Sequence, residues 1–361
     1  MLNTFTLVIP TYNRYPFLLR LLKFYESYCF PFRIIVLDSS SDLLESGELK
    51  KLLAHESIIY KKLDSGIFFE EKIARGVEEI TTPYAALCAD DDFIIPSAVS
   101  HCIQFLEQNP DYSCVQGFYI HHSSASHFKA GKFKWAPLYF NARCIEYVRA
   151  DERVYAYLAM PSKAGGQHYY AVHRSDTLRL IRRETAKYAS VYNLGELFSG
   201  SLSLIYGKRK ILPIFFSSRE PHNLPPFDEE YHRSLYASER FERAIKGIAK
   251  HLHREEGLSL EEAEGVARKS LSAYVNRAFP ARRLSMVPDC FRRFIAAIRS
   301  LKSTSLNRLY RIYYARIIER ESAPYYPDFQ KVKYAVISSG IDANEYIHSR
   351  TTYKRIQGTH T

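Results

Sequence analysis

The chain has 361 residues, 46% hydrophobic and 25% charged. That is the balance of a soluble globular protein, not of a disordered chain, a collagen-like repeat or a coiled-coil rod, and at about 100–200 residues per domain it has room for about two domains. The net charge is +11, and residues 268–333 hold 15 Lys and Arg against 4 Asp and Glu, so the whole excess sits in one segment and a local anionic partner is favoured over a uniformly basic surface.

No run approaches the roughly 18 consecutive apolar residues of a membrane-spanning helix. The opening MLNTFTLVIPTYNR has no basic leader, so it reads as a first strand and not a signal peptide. Cys29, Cys88, Cys102, Cys114, Cys144 and Cys290 lie far apart without a CxxC pair. This spacing points to reduced thiols in a cytoplasmic protein and argues against a structural zinc.

In chain order, Thr4–Pro10 is short, β-branched and closed by proline, the pattern of a buried strand. Tyr15–Tyr28 places Phe17, Leu18, Leu21, Leu22 and Tyr25 on one helical face. Strands are then predicted at Arg33–Leu37, Ser57–Leu63, Pro83–Ala89 and Ser113–Ile120, and helices at Leu43–Leu53, Phe68–Ile80 and Ser97–Gln108. Residues 121–165 read as an irregular excursion. His168–His173 reads as a strand, Glu196–Tyr206 as a helix stopped by Gly207, and Lys210–Phe216 as another strand. From about Asp228 onward the pattern is helical.

Strand and helix in this alternation imply parallel strands with right-handed crossovers. Ligands of such sheets bind beyond the carboxyl ends of the strands. Those ends carry Thr11-Tyr12-Asn13-Arg14, Asp38, Asp64 and Asp90-Asp91-Asp92. Three adjacent carboxylates after an apolar strand repel one another unless a cation or water screens them. Clustered oxygen donors suit Mg²⁺ or Mn²⁺, which are typically shared with substrate phosphates. The alternative is an acidic turn ahead of Pro96, but the alignment with three other strand ends favours a site.

At these residues the chain resembles the family 2 glycosyltransferases of GT-A fold. The resemblance rests on TLVIPTYNR (Thr6–Arg14), IIVLDSS (Ile34–Ser40) and YAALCADDDFIIP (Tyr84–Pro96), in order and spacing, and extends over about residues 4–220. It implies an α/β fold: a Rossmann-like, mostly parallel sheet flanked by helices, with a nucleotide-sugar half at 1–120, an acceptor half at 121–222, and a helical, basic region at 223–361. It also implies transfer of a sugar, usually with inversion, from a nucleotide-diphosphate sugar, most commonly a UDP-sugar, to an acceptor hydroxyl of a glycan or lipid-linked molecule. Carried over residue by residue, Pro10, Thr11, Tyr12 and Arg14 line the nucleotide pocket. Asp38 meets the base or ribose, Asp64 the base and Asp90 the ribose. Asp91 binds the metal, Mn²⁺ or Mg²⁺, with Asp92 as the alternative, because Ala89 stands where the family often has the first Asp of D-x-D-D.

The chemistry agrees. A departing diphosphate gains negative charge that a divalent ion stabilises, and an acceptor hydroxyl needs a base. The family places that base at the start of a helix in the second half, where NLGELF offers Glu196; its plainer role would be to favour the helix dipole. Gln167 and His168, ahead of a strand, are candidates for acceptor contact. Arg219 and His222 in SSREPHN are candidates for diphosphate contact.

Nucleotidyl transfer and dehydrogenase chemistry are disfavoured, because the loop after the first strand has no glycine. A non-catalytic glycosyltransferase-like module that tethers a partner remains the competing class. Nucleic-acid binding would rest on 268–333 alone, where no RNA-motif or zinc-finger pattern occurs. Phe291–Leu301 and Leu306–Ile318 are basic and amphipathic. They suit peripheral contact with the inner face of a membrane, or packing on the catalytic domain, or a homo-oligomer interface.

Overall fold

In the computed structural model the described residues are 1–124, 133–138, 142–160, 168–191, 194–220, 235–278 and 307–341. The strands are β1 (Phe5–Thr11), β2 (Arg33–Asp38), β3 (Ile58–Lys62), β4 (Tyr84–Leu87), β5 (Phe93–Ile94), β6 (Tyr112–Ser124), β7 (Phe133–Leu138), β8 (Val172–Arg174) and β9 (Lys208–Arg219). They form one sheet in the order β3-β2-β1-β4-β8-β6-β9-β5, with β7 paired to β6. The expected parallel half is present: β3, β2, β1 and β4 are parallel neighbours. In the second half β8 runs antiparallel to both β4 and β6, while β9 is parallel to β6.

The helices are α1 (Tyr15–Glu26), α2 (Gly47–Leu53), α3 (Phe69–Val77), α4 (Pro96–Gln108), α5 (Ala150–Ala159), α6 (Ser175–Tyr188), α7 (Leu194–Ile205), α8 (Glu239–Glu256), α9 (Leu260–Ala278) and α10 (Tyr326–Ser339). Alternation along β1 and β2 divides the parallel half into two buried faces. Phe5, Leu7, Ile9, Ile34 and Val36 pack with Leu18, Leu21 and Tyr25 of α1. Val8, Ile35 and Leu37 pack with Ile73 and Val77 of α3 on the other face.

Several boundaries differ from the sequence reading for local reasons. The second helix begins at Gly47 and not Leu43, because the Ser46 side chain accepts Leu49 N–H at 3.2 Å and Leu43 is left exposed. His168–Tyr170 is a single 3₁₀ turn, and only Val172–Arg174 pairs in the sheet. The stretch read as irregular contains the end of β6, its antiparallel partner β7 and the helix α5.

Among the described residues beyond 222 there is no separate core. Helices α8 and α9 share apolar contacts with α5 and α7 through Leu197, Phe198, Ile245 and Ile248. A helical segment at 307–318, followed by α10, returns to the core of the parallel half. There Tyr314 stacks on Phe118 with ring centroids 3.9 Å apart, and Asp328 accepts hydrogen bonds from Tyr28 Oη and Ser97 Oγ, each at 2.6 Å. No helix among the described residues is long and apolar enough to cross a membrane.

Candidate active site

The register of the parallel strands sets Thr11 beside Asp38 and Asp38 beside Lys62. After β4 the chain leaves the sheet next to β1, with Cys88 N–H bonded to Val8 O at 2.9 Å, and enters Asp90-Asp91-Asp92. All three of these aspartates are buried, at 3%, 1% and 4% exposure. Carboxylates so placed require cations or strong donors, and the fold supplies them from three directions. From β1 and its loop, Thr11 Oγ1 donates to Asp90 at 2.7 Å. Arg14 pairs with Asp90 at 3.2 Å and also with Asp91, its guanidinium lying over the Phe17 ring. Burial alone would lower the Arg14 pKa, but Asp90, Asp91 and Asp92 push it above its ordinary value.

From α1, Arg20 donates to the Asp91 carbonyl at 2.9 Å and pairs with Glu220 at 2.7 Å. From the end of β9, Arg219 Nε donates to Asp92 at 2.7 Å and Glu220 N–H to its other oxygen at 3.1 Å. Burial nevertheless holds the Asp92 pKa above the usual carboxylate range, with Asp91 adding to the rise and Arg219 opposing it.

Asp38 is fully buried. It accepts from Ser40 N–H at 2.7 Å, Tyr60 Oη at 2.6 Å, Tyr15 Oη at 2.9 Å and Lys62 Nζ at 3.2 Å. Burial pushes its pKa up, but the donors outweigh burial and hold it below the ordinary value. Beneath this edge, Lys72 of α3 reaches Thr11 O at 3.1 Å and Ser39 Oγ at 2.9 Å. Burial pulls its pKa down to about 8, against the attraction of Asp90 and Asp38. Asn13, at φ 51°, takes the left-handed conformation that asparagine tolerates. Its Oδ1 accepts Ser41 and Asp42 N–H and so fixes the loop that carries Tyr12 and Arg14. Pro10 lies in the last turn-out of β1, opposite Leu37. Asp64 is exposed and accepts Gly66 N–H at 2.8 Å.

Glu196 stands in the first turn of α7, half-buried. Its charge acts on Tyr157, Tyr169, Tyr170 and Tyr274. Tyr170 also feels Asp91 and Asp92, and the Arg219 guanidinium lies 4.8 Å from its ring centre. This ring therefore lies within electrostatic reach of both the aspartate cluster and Glu196.

Among the other carboxylates of this half, Glu220 is buried against Arg20, and Asp176 is exposed and paired with Arg179. His168 points inward: Arg209 Nη1 donates to Nδ1 at 3.0 Å, which leaves Nε2 as the donor to Gly200 O at 3.0 Å. Gln167 and His222 lie outside the described residues.

Sequence reasoning missed Arg20, Glu70, Lys72 and Tyr170. A signal existed for two of them. Arg20 falls in the Phe17–Leu21–Phe24 stripe of α1, and Lys72 in the Phe69–Ile73–Gly76 stripe of α3, and a charge on an apolar face has to find a buried partner.

Among the described residues no three His, Cys, Asp or Glu side chains are gathered as a metal cage. Asp91 and Asp92 are oxygen ligands of the kind a hard divalent cation takes, but Arg14 pairs with Asp91, and Arg219 Nε and Glu220 N–H hold the two oxygens of Asp92, so a cation shared with substrate phosphates would share these oxygens with the protein's own donors.

Comparison with known proteins follows the same lines. Among curated sequences nothing matches. Among solved structures, S. aureus TarS 1–349 is similar at 12% identity and a TM-score of 0.50, over 96% of this chain and 92% of that one. The same protein in complex with UDP-GlcNAc is similar at 14% identity and a TM-score of 0.49, over 77% and 73%. At such identities the likeness is one of fold. The model of glycosyl transferase family 2 matches residues 6–187, from β1 to the end of α6, and with half its length accounted for in this way the chain belongs to glycosyl transferase family 2.

Proposed function

We propose that this glycosyltransferase moves a sugar from a nucleotide-diphosphate donor, a UDP-sugar, to a hydroxyl of a glycan or lipid-linked acceptor, with inversion. The observation that carries the reading is that Tyr170 feels both Asp91 and Asp92 of the buried aspartate cluster and Glu196 of α7, which brings the strand-edge carboxylates and Glu196 to one site.

Thr11, Tyr12 and Arg14 hold the nucleotide diphosphate on the loop after β1, and Asp90 takes the ribose. Asp64 meets the base. Asp38, its oxygens occupied by Ser40, Tyr15, Tyr60 and Lys62, acts on the base or ribose through the groups it orients. Glu196 takes the proton of the acceptor hydroxyl as its oxygen bonds to the anomeric carbon. The bond from that carbon to the diphosphate breaks, and the electron pair leaves with the phosphate oxygen. Arg14 and Arg219 are the protein cations beside the developing charge. Asp91 and Asp92 would hold Mn²⁺ or Mg²⁺, which when bound supplies Lewis-acid stabilisation of the leaving group.

We place the enzyme in the cytoplasm with a peripheral membrane contact. In the helical segment 307–318, Tyr314 and Ile318 face the core while Leu309, Ile312 and Tyr313 are exposed beside Arg308 and Arg316, a face suited to anionic lipid.

Thermal stability measured with UDP, GDP, dTDP and CMP, each with Mn²⁺, Mg²⁺ or chelator, tests the donor assignment. UDP with Mn²⁺ at about 100 times its Kd stabilises by about 2.7 kcal/mol. No shift with any nucleotide contradicts a donor site; a UDP shift indifferent to chelator contradicts the metal alone.

A further inference from the structure

Behind Glu196 lies a second carboxyl with no part in the scheme above. Glu70, in the first turn of α3, is buried. Its oxygens meet the Tyr169 hydroxyl only at 3.4 and 3.5 Å. Its counter-charge is Arg182 of α6, which is 1% exposed. That guanidinium lies 3.8 Å from the centre of the Tyr169 ring and donates to Tyr169 O at 3.3 Å. Its Nε and Nη1 have no hydrogen-bond partner among the described residues.

The carboxyl also presses on the backbone that presents Glu196. A methyl group on Gly195 would come within 2.5 Å of Glu70 Oε1 and 3.1 Å of Ala189 O, so a larger residue there would have to push the Glu70 carboxyl aside. Gly195 N–H in turn bonds to Val191 O at 2.8 Å. Burial drives the Glu70 pKa up to about 7; Arg182 opposes the rise and the charge of Glu196 adds to it. The groups facing Glu70 are thus Arg182 from α6, Tyr169 from the 3₁₀ turn and Glu196 from α7. His173, which also faces Arg182, is held neutral by burial, its pKa lowered to about 3.

We propose that Glu70 is a positioning residue for Glu196: wedged between Tyr169 and Gly195, its carboxyl fixes the first turn of α7 and strengthens Glu196 as the acceptor of the incoming hydroxyl's proton. This rests on Glu196 being the base. Two carboxyls that feel each other titrate as a pair, and a negative Glu70 makes its neighbour the more basic.

The test is transfer rate against pH, with acceptor KM and nucleotide-diphosphate Kd, for wild type, Glu70→Gln and Glu196→Gln. In Glu70→Gln the further rise of kcat as Glu70 ionises near pH 7, where its charge makes Glu196 the more basic, is lost. Its plateau falls and donor Kd stays constant. A superimposable profile, or a donor Kd that shifts in parallel with kcat, overturns the proposal.

The coupling is also read reciprocally in Glu196→Gln, so the outcome does not depend on Glu70→Gln folding. Carbon-13 NMR of labelled glutamate should show the Glu70 titration moving to lower pH, and an unmoved titration overturns the proposal. An active Glu196→Gln sinks the base assignment itself. An inactive one beside an unaltered Glu70→Gln profile sinks this proposal only.

Discussion

Replacing Arg14 by methionine keeps most of the side-chain volume and removes the charge that Asp90 and Asp91 share. At the 3.2 Å separation from Asp90 and an effective dielectric constant of about 20, that pair alone is worth about 5 kcal/mol of Coulomb attraction. Removing one partner of a buried pair costs about 3–5 kcal/mol net, a fall in melting temperature of about 10 °C. The loss should depend on pH. Two buried carboxylates that lose the Arg14 charge bind protons more readily in the folded than in the unfolded chain. Groups of that kind stabilise the fold at low pH, and their contribution is lost as pH rises. The deficit against wild type, from urea unfolding, should therefore be smaller near about pH 5 than near about pH 8. A loss below about 1 kcal/mol, the scale of a surface pair, or an equal loss at both pH values, refutes the view of Arg14 as the cluster's buried counter-ion.

Lys72 carries the opposite pH dependence. Its folded pKa is about 8 against an ordinary 10.5, so between those values the unfolded chain holds the proton that the folded chain has released, and stability from this group rises with pH. The stability difference, wild type minus Lys72→Met, should grow across that window in chemical denaturation and stay flat if Lys72 is solvated. Tyr314→Ala removes a ring stacked on Phe118 and should cost about 3–5 kcal/mol; a near-neutral effect would mean that the C-terminal helices are not part of the catalytic core. Leu309→Ser with Ile312→Ser should weaken co-sedimentation with vesicles of anionic lipid while leaving stability within about 0.5 kcal/mol, and unchanged sedimentation removes that face from any membrane role.

The parallel half of the fold was legible because its strands, buried on both faces, read as continuous runs such as FTLVIPT and RIIVLD. The aspartate cluster was legible as an electrostatic anomaly: three carboxylates after an apolar strand need an explanation that a turn does not supply. What neutralises them was not legible, since Arg20 and Arg219 lie 71 and 127 residues from their partners in the cluster, and only the closed sheet brings them there. His168 had the composition of a strand residue, yet its ring is taken by Arg209 and Gly200 O and the chain turns. Likewise the return of Tyr314 and Phe329 to the first core depends on long-range packing that helical periodicity does not encode.

The central claim is tested most directly by Glu196→Gln, assayed for sugar transfer to a competent acceptor and for the Kd of the nucleotide diphosphate. The amide keeps the size of the side chain and one accepting oxygen but cannot take a proton. Loss of a general base lowers the rate by about 10²–10⁴-fold, while donor binding, which the proposed function assigns to the strand-edge residues, should hardly change. With folding verified, a dead transferase that binds donor as wild type does is the predicted result. A variant keeping more than about a tenth of wild-type turnover, against that expectation, contradicts it.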